Sequence, residues 1–220
     1  MRSALAIRLL VFDWDGTLRD SIASIVGCAQ AALADVGRHS SDEAIRATVG
    51  LGLEEAIRRY CPQADDGECA LILERYRHHW LESWHARAAL FPGVEVMLER
   101  LEAEGYLLAI ATGKSRVGLE RDFGTVAVRH RFHATRTVDE SAPKPSPHML
   151  LELMAELGVE AGETLMIGDT SHDLLMARNA GVAALAVGCG AHPVAELRAH
   201  RPRDVLALTT ELPDWLARRR

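Results

Sequence analysis

The chain has 220 residues, 48% of them hydrophobic, and can bury the core of one large domain or of a domain with an insertion. Its formal net charge of -6 argues against nucleic-acid binding, which usually needs a basic face, and favours a small solute as partner. No stretch is long and apolar enough to span a bilayer, so no membrane association is expected. The four cysteines form no close C-x-x-C pair, which favours reduced thiols in a cytoplasmic protein.

Short apolar runs recur along the chain with helical patterns between them. Such runs predict buried strands of a parallel sheet, because strands that are covered on both faces do not alternate between apolar and polar residues. The first run superficially resembles a signal peptide, but Arg8 interrupts it and no small-residue cleavage site follows, so a core strand is predicted. The predicted strands span residues 8–12, 106–111, 164–167, 182–187 and 205–208.

The helical patterns between these runs predict helices at residues 92–104, 147–157 and 171–180. Strands that alternate with helices predict an α/β fold, a Rossmann-like doubly wound parallel sheet with helices on both faces. Residues 21–89 break the alternation, because amphipathic patterns there predict only helices, at 21–35, 42–49, 53–60 and 68–86. We therefore predict an α/β core of residues 1–18 and 90–220 with a helical domain, residues 19–89, inserted into it.

Polar residues follow three of the predicted strands. In a doubly wound sheet, ligands bind outside the carboxyl ends of the strands, so these residues are candidates for a common site. Lys144 lies in a proline-rich loop, residues 142–147, whose stiffness would hold the side chain in place. The polar segments are Asp13-Trp14-Asp15-Gly16-Thr17, Thr112-Gly113-Lys114 and Gly168-Asp169-Thr170, the last followed by Asp173.

The acidic residues of these segments predict a metal site. Asp13 and Asp15 are two apart on an extended segment, so their side chains face the same side. With Asp169 they would repel one another, and a dry cluster of this kind requires a cation or raised carboxyl pKa values. Hard oxygen ligands suit Mg²⁺, which is the predicted cofactor. Thr112, the N–H groups after it and Lys144 would neutralise the charge of a metal-bound phosphate.

Taken in chain order, the three polar segments and Lys144, which lies between the second and the third, resemble the four motifs of the haloacid dehalogenase superfamily. The resemblance covers essentially the whole chain. The helical insert is similar to the cap domain of its phosphoglycolate phosphatase-like branch, as is the flanking sequence at residues 91–94, 111–115 and 176–182. The resemblance implies a Mg²⁺-dependent phosphatase that hydrolyses a small-molecule phosphomonoester through an aspartyl-phosphate intermediate. Phosphoglycolate is the preferred candidate substrate, and a small phosphorylated metabolite is the expected partner.

The resemblance also implies a role for each site residue. Asp13 is the nucleophile, and Asp15 is the general acid that protonates the leaving oxygen and later helps to activate water. Asp13, the backbone carbonyl of Asp15, and Asp169 would hold the metal. Asp173 would contact the metal or orient the lysine, although an acid in the first turn of a helix also stabilises the helix dipole. The transferring phosphoryl group would be bound by Thr112, Gly113 and Lys144.

Some basic and aromatic residues near these motifs are less typical of the family. Trp14 stands where a smaller hydrophobic residue is common, and Arg19 stands where an apolar or small one is frequent. Arg19 is expected either to contact substrate or to be a solvated hinge residue. Lys114 and Arg116 could reach an anionic substrate, but basic residues on helices are usually solvated, and that is the expectation for both.

The sequence leaves other functions open. A sugar-phosphate phosphatase, a pyrophosphatase or a phosphomutase would resemble the same branch. A receiver-like signalling protein fits the order of the motifs poorly, and a non-catalytic phospho-ligand-binding protein would not need every reactive group. Asp15 argues against dehalogenation, and the absence of lysine from residues 19–89 argues against a lysine-dependent phosphonate hydrolase. The sequence predicts no oligomeric state.

Overall fold

The structure, a computed structural model, describes residues 7–84 and 88–219. Short buried runs form most of its strands, as the apolar pattern predicts. The strands are β1 (Leu9–Phe12), β2 (Arg19–Asp20), β3 (Ala89–Leu90), β4 (Leu107–Ala111), β5 (Ala134–Arg136), β6 (Thr164–Gly168), β7 (Ala183–Val187) and β8 (Val205–Leu206).

The strands form a six-stranded parallel sheet in the order β5-β4-β1-β6-β7-β8 and a separate antiparallel pair, β2 and β3. Strand β1 lies at the centre, with Leu9 opposite Leu107 of β4 on one side and Thr164 of β6 on the other. Along the chain, β4 and β5 are added on one side of β1, and β6, β7 and β8 are then added on the other side. This order confirms the predicted doubly wound α/β fold, and β1 lies at its switch point.

Helices fill the connections between the strands. Their first turns often carry a capping side chain, as at Ser115, which accepts a hydrogen bond from Gly118 N. The helices are α1 (Ile22–Asp35), α2 (Asp42–Arg46), α3 (Leu53–Tyr60), α4 (Asp66–His79), α5 (Val94–Ala103), α6 (Arg116–Phe123), α7 (His148–Leu157), α8 (Ser171–Asn179), α9 (Val194–Ala199) and α10 (Leu212–Ala217).

Both faces of the sheet are covered by helices. Leu10 and Phe12 of β1 belong to one apolar cluster, to which α5 and α10 also contribute. Leu9 and Val11 point to the opposite face and belong to a second cluster, with residues of α7 and α8. All four side chains of β1 are therefore fully buried, which explains why this strand reads as a continuous apolar run.

Helices α1 to α4, the four-helix segment, enclose a third apolar cluster. Side chains such as Leu33, Ile57 and Ile72 from three of these helices are fully buried in it. Helix α4 begins with a capping box, in which Asp65 accepts a hydrogen bond from Glu68 N at 2.9 Å. The segment thus has a core of its own beside the two faces of the sheet.

Several predicted bounds differ from those observed. The helix predicted at 42–49 ends at Arg46, and the chain then turns through Gly50, whose φ is 92°. The helix predicted at 68–86 begins earlier, at Asp66, and becomes a π-helical turn at Trp80–Trp84; its predicted end lies outside the described residues. Strands β2, β3 and β5 were not predicted.

No helix among residues 7–84 and 88–219 is long and apolar enough to cross a membrane. The expected cytoplasmic location stays a prediction.

Candidate active site

The predicted site residues follow three neighbouring strands at one edge of the sheet. Asp13 follows β1, Thr112 follows β4 and Asp169 follows β6. Two hydrogen bonds continue the sheet past the strand ends: Asp13 N donates to Ile167 O at 2.9 Å, and Thr112 N donates to Arg136 O at 3.0 Å. These bonds fix the backbone from which the Asp13 and Thr112 side chains project.

Three buried carboxylates meet at this edge. Asp13, Asp169 and Asp173 each offer an oxygen atom, and these atoms lie within 4.8 Å of one another. The Nζ atom of Lys144 lies 2.7 Å from Asp13 Oδ1 and donates a hydrogen bond to Asp173 Oδ1 at 2.6 Å. The structure therefore brings Lys144 and the predicted acids together, with Asp173 contacting the lysine directly.

Two of the three carboxylates are held in place by hydrogen bonds. Asp169 accepts from Thr17 Oγ1 at 2.7 Å and from Ala191 N at 2.8 Å, one bond at each oxygen. Asp173 Oδ2 accepts from the backbone N of Thr170 at 3.1 Å and from its hydroxyl at 2.7 Å, as part of the capping box of α8. Their orientation is therefore set before any ligand binds.

The surroundings of Asp13 differ from those of the other two acids. Its side chain is fully buried, yet neither oxygen has a hydrogen-bond partner among the described residues, apart from the ion-pair contact of Oδ1 with Lys144. Burial raises the pKa of Asp13 well above its usual range, and the negative charges of Asp173 and Asp169 add to this effect although Lys144 opposes it. A carboxylate with a free oxygen of this kind can ligate a cation or attack an electrophile.

The electrostatics and donor types of the cluster fit a hard divalent cation. Burial raises the pKa of Asp169 to about 7, and the charge of Asp173 adds to the shift. Burial lowers the pKa of Lys144, but Asp13 and Asp173 outweigh that effect and raise it, so the lysine is protonated. When all three acids are ionised, one ammonium against three carboxylates leaves an excess of negative charge, which a cation would balance, and oxygen donors suit Mg²⁺. Asp173, predicted either to contact the metal or to orient the lysine, is one of the three candidate oxygen donors and also contacts Lys144.

Asp15 lies beside this cluster and has contacts of its own. Ser21 Oγ donates to Asp15 Oδ1 at 2.7 Å, and Lys114 Nζ lies 3.1 Å from Asp15 Oδ2. Asp13 and Asp15 both line a cavity of about 960 Å³. Residues of the four-helix segment, including Leu53, line it as well, so the cavity lies between that segment and the edge of the sheet.

Thr112 and Gly113 form another part of the cavity wall. Thr112 is buried, and its Oγ1 accepts a hydrogen bond from Lys114 N at 3.1 Å. A Cβ atom on Gly113 would lie 2.4 Å from the carbonyl oxygen of Gly50, so the loop after β4 and the loop after α2 touch backbone to backbone. Glycine is required at position 113 for this close approach.

The expectation that Lys114 is solvated is wrong. Its side chain is 12% exposed, and besides Asp15 it contacts Asp122, with Nζ 3.3 Å from Oδ2. The same Nζ lies 4.9 Å from the ring centroid of Trp80. Arg116, by contrast, is more exposed and forms ion pairs with Glu120 and Glu140. Lys114 is buried by residues from other segments of the chain, such as Asp15 and Trp80. A local sequence pattern does not reveal contacts of this kind.

Both expectations for Arg19 are also wrong. Arg19 is 1% exposed, forms an ion pair with Asp122 and donates to Ala88 O at 3.0 Å; it is not among the described residues that line the cavity. Trp14 is fully buried, and its Nε1 donates to Asp122 Oδ2 at 2.8 Å. Asp122 was not predicted as a site residue. The two departures from the family pattern, Trp14 and Arg19, both contact this carboxylate, but neither identifies Asp122 from the sequence alone.

Comparisons with known proteins agree with this geometry. Residues 10–187 match the family model described as haloacid dehalogenase-like hydrolase. The chain is 36% identical over 209 residues to "Probable phosphatase IndB" of Dickeya dadantii (strain 3937), covering 93% of this chain and 91% of that protein. It is 31% identical over 228 residues to a phosphoglycolate phosphatase of Mesorhizobium japonicum, covering 96% of each.

Among solved structures, a hydrolase from Pseudomonas syringae has the same fold. The TM-score is 0.87 at 22% sequence identity, and the match covers 96% of this chain and 98% of that one. At this identity the likeness supports the fold alone. The family match, in contrast, spans most of the chain and includes the strands and loops that carry the buried carboxylates. The chain therefore belongs to the haloacid dehalogenase-like hydrolase family.

Proposed function

We propose that this protein is a Mg²⁺-dependent phosphatase that hydrolyses a small phosphomonoester through an aspartyl-phosphate at Asp13. The observation that carries the proposal is the Asp13 carboxylate, which lines the cavity: its Oδ1 lies 2.7 Å from Lys144 Nζ, and its buried Oδ2 has no hydrogen-bond partner among the described residues. The names of the similar proteins from Dickeya and Mesorhizobium support phosphatase chemistry. Asp15 counts against dehalogenation, which has no use for a proton donor at that position.

In the first step, an oxygen of Asp13 attacks the phosphorus, and the bond from phosphorus to the leaving oxygen breaks. Asp15, which lines the same cavity, gives its proton to that leaving oxygen, so the alcohol departs neutral. The Thr112 hydroxyl, the Gly113 N–H and the Lys144 ammonium balance the charge on the phosphoryl oxygens.

In the second step, the Asp15 carboxylate takes a proton from a water molecule while the oxygen of that water attacks the phosphorus. The bond between phosphorus and Asp13 breaks, and inorganic phosphate leaves. Asp13 is then a carboxylate and Asp15 is protonated again, so both groups return to their starting states.

The metal would be held by the carboxylates of Asp13, Asp169 and Asp173 and by the backbone carbonyl of Asp15. When bound, Mg²⁺ supplies positive charge that balances the buried acids and the transferring phosphoryl group. The hydrogen bonds from Thr17 and Ala191 keep Asp169 in place whether or not the metal is bound. The hydrogen bond between Asp173 and Lys144 aims the ammonium at Asp13.

We further propose that residues 19–89 act as a cap over a catalytic core of residues 1–18 and 90–220, with the leaving group bound in the cavity between them. Phosphoglycolate is the first candidate substrate, since the similar Mesorhizobium protein carries that name. A cavity of about 960 Å³ also admits a larger ester, so a sugar phosphate is the second candidate.

The test is phosphate release from phosphoglycolate, pyrophosphate, hexose phosphates and nucleotides, each with Mg²⁺ and with chelator. We expect release that requires Mg²⁺ and that falls at least about a thousand-fold in Asp13→Asn, because the nucleophile is lost. The matched control is Asp20→Asn, which changes an exposed carboxylate of β2 and should retain activity. Wild-type turnover in Asp13→Asn would overturn the nucleophile, and no release from any ester would overturn the phosphatase.

A further inference from the structure

Lysine is rare in this chain. Of its 25 basic residues, 23 are arginines, and the two lysines are Lys114 and Lys144. Each contacts one acid of the first motif: Lys144 Nζ lies 2.7 Å from Asp13, and Lys114 Nζ lies 3.1 Å from Asp15. A lysine ammonium is a compact charge with three donors, which suits a position between two carboxylates. Both lysines occupy such a position.

The contacts of Lys114 mirror those of Lys144. Lys144 joins the nucleophile Asp13 to the buried Asp173. Lys114 joins Asp15 to the buried Asp122, at 3.1 and 3.3 Å, and the ring of Trp80 covers it from the side of the π-helical turn. In each case, one carboxylate reaches the cavity and the other is fully buried.

Asp122 is fixed on several sides. It is fully buried in α6, accepts a hydrogen bond from Trp14 Nε1 at 2.8 Å and pairs with Arg19. Burial raises its pKa, but the charges of Lys114 and Arg19 outweigh that effect and lower it, so Asp122 is ionised. A buried, ionised and rigidly held carboxylate gives the Lys114 ammonium a defined place.

Asp15 is in turn held at both oxygens. Ser21 Oγ donates to Oδ1 at 2.7 Å, and Lys114 Nζ lies 3.1 Å from Oδ2. Proton transfer to a leaving oxygen needs the donor within hydrogen-bond reach and correctly oriented. Resting on the proposed phosphatase function, we propose that Lys114 and Asp122 are positioning residues that hold Asp15 in the orientation from which it protonates the leaving group.

The proposal predicts a dependence on the leaving group. Proton donation matters greatly when an alcohol of low acidity departs, and little when an acidic phenol departs. Benzyl phosphate and 4-nitrophenyl phosphate are similar in size and differ in this property. A residue that only stabilises the fold would change the turnover of both esters by the same factor.

The experiment measures kcat and KM for both esters with Mg²⁺ in the wild type, Lys114→Met and Asp122→Asn. We expect Lys114→Met to lower kcat for benzyl phosphate by roughly 10- to 100-fold, and for 4-nitrophenyl phosphate by less than about threefold. Asp122→Asn should show the same selectivity with a smaller loss. The control is Arg116→Met, which removes a nearby basic residue that pairs with Glu120 and Glu140.

An equal loss on both esters in Lys114→Met would refute the positioning role. A raised KM with unchanged kcat would also refute it, because Lys114 would then bind substrate. If Asp122→Asn fails to fold, Lys114→Met decides alone, since it leaves the pair of Asp122 and Arg19 intact. If the wild type and both variants hydrolyse the two esters at the same rates, the positioning role is refuted. The proposed phosphatase function would still stand in that case.

Discussion

Asp169 shows how a residue that suits a metal can weaken the metal-free fold. Its carboxyl is fully buried, and in the absence of a cation burial raises its pKa from 3.8 to about 7. The unfolded chain therefore loses this proton at a lower pH than the folded protein does. Between those two pKa values the folded state binds more protons, so its stability falls as the pH rises.

We therefore expect the chelated protein to melt at a lower temperature near about pH 7.5 than near about pH 5.5. Saturating Mg²⁺ should raise the melting temperature most at the higher pH, because the cation competes with the proton for the same carboxylates. Calorimetry at both pH values, with chelator and with Mg²⁺, measures this. Asp169→Asn should flatten the pH dependence and weaken the Mg²⁺ effect. A chelated wild type that becomes more stable as the pH rises would contradict the assignment.

Residues of the site differ in how well the sequence predicted them. Asp13, Thr112 and Asp169 directly follow apolar strands, so the edge of the sheet that they share could be inferred without a structure. Asp122 could not be inferred, because its contacts with Trp14 and Arg19 join segments that are far apart in the chain. Pairing of this kind depends on tertiary packing, which local patterns do not record.

At the scale of elements, strands β1, β4, β6 and β7 were predictable because each is a short apolar run. Strand β5, Ala134–Arg136, has three residues, of which only one is apolar, and its pairing with β4 defines it. The observed helix bounds differ from the predicted ones where a turn or a change of helix type occurs, as at Trp80, where the π-helical turn begins. Periodicity fixes the type of a long element better than its ends.

The contact between the loop after β4 and the loop after α2 supports a prediction about how the two parts of the molecule meet. Gly113→Ala would place a Cβ 2.4 Å from Gly50 O, and backbone cannot give way as a flexible side chain can. We expect a loss of about 1–3 kcal/mol in the free energy of unfolding, from this overpacking. Chemical denaturation measures the change.

Gly67→Ala is the control for this substitution. Its Cβ would meet only the side chain of Asp65, at 3.3 Å, and alanine is favoured over glycine within a helix such as α4. The control should therefore be neutral or slightly stabilising. If Gly113→Ala were as stable as the control, the two loops would not be in contact in solution.

At the scale of the whole molecule, two apolar cores lie on the faces of the sheet and a third lies within the four-helix segment. The cavity lies where the third core meets the edge of the sheet that carries the buried carboxylates. Arg19, which pairs with the buried Asp122, belongs to β2; this strand and its partner β3 lie at the two ends of the four-helix segment. The cavity and the connection between the two parts of the molecule therefore share one region.

The scarcity of lysine gives the folded protein an unusual chemical resistance. Acylating reagents attack unprotonated, accessible amines, but the side chain of Lys144 is 0% exposed and that of Lys114 is 12% exposed. Burial lowers the pKa of Lys114, but Asp15 and Asp122 outweigh this and raise it, which keeps the amine protonated and unreactive. An N-hydroxysuccinimide ester should therefore leave both lysines unmodified in the folded protein and modify both after unfolding in urea, as peptide mapping by mass spectrometry would show. Acylation of Lys144 in the folded state would mean that the edge of the sheet at which Asp13, Asp169 and Asp173 meet opens to solvent.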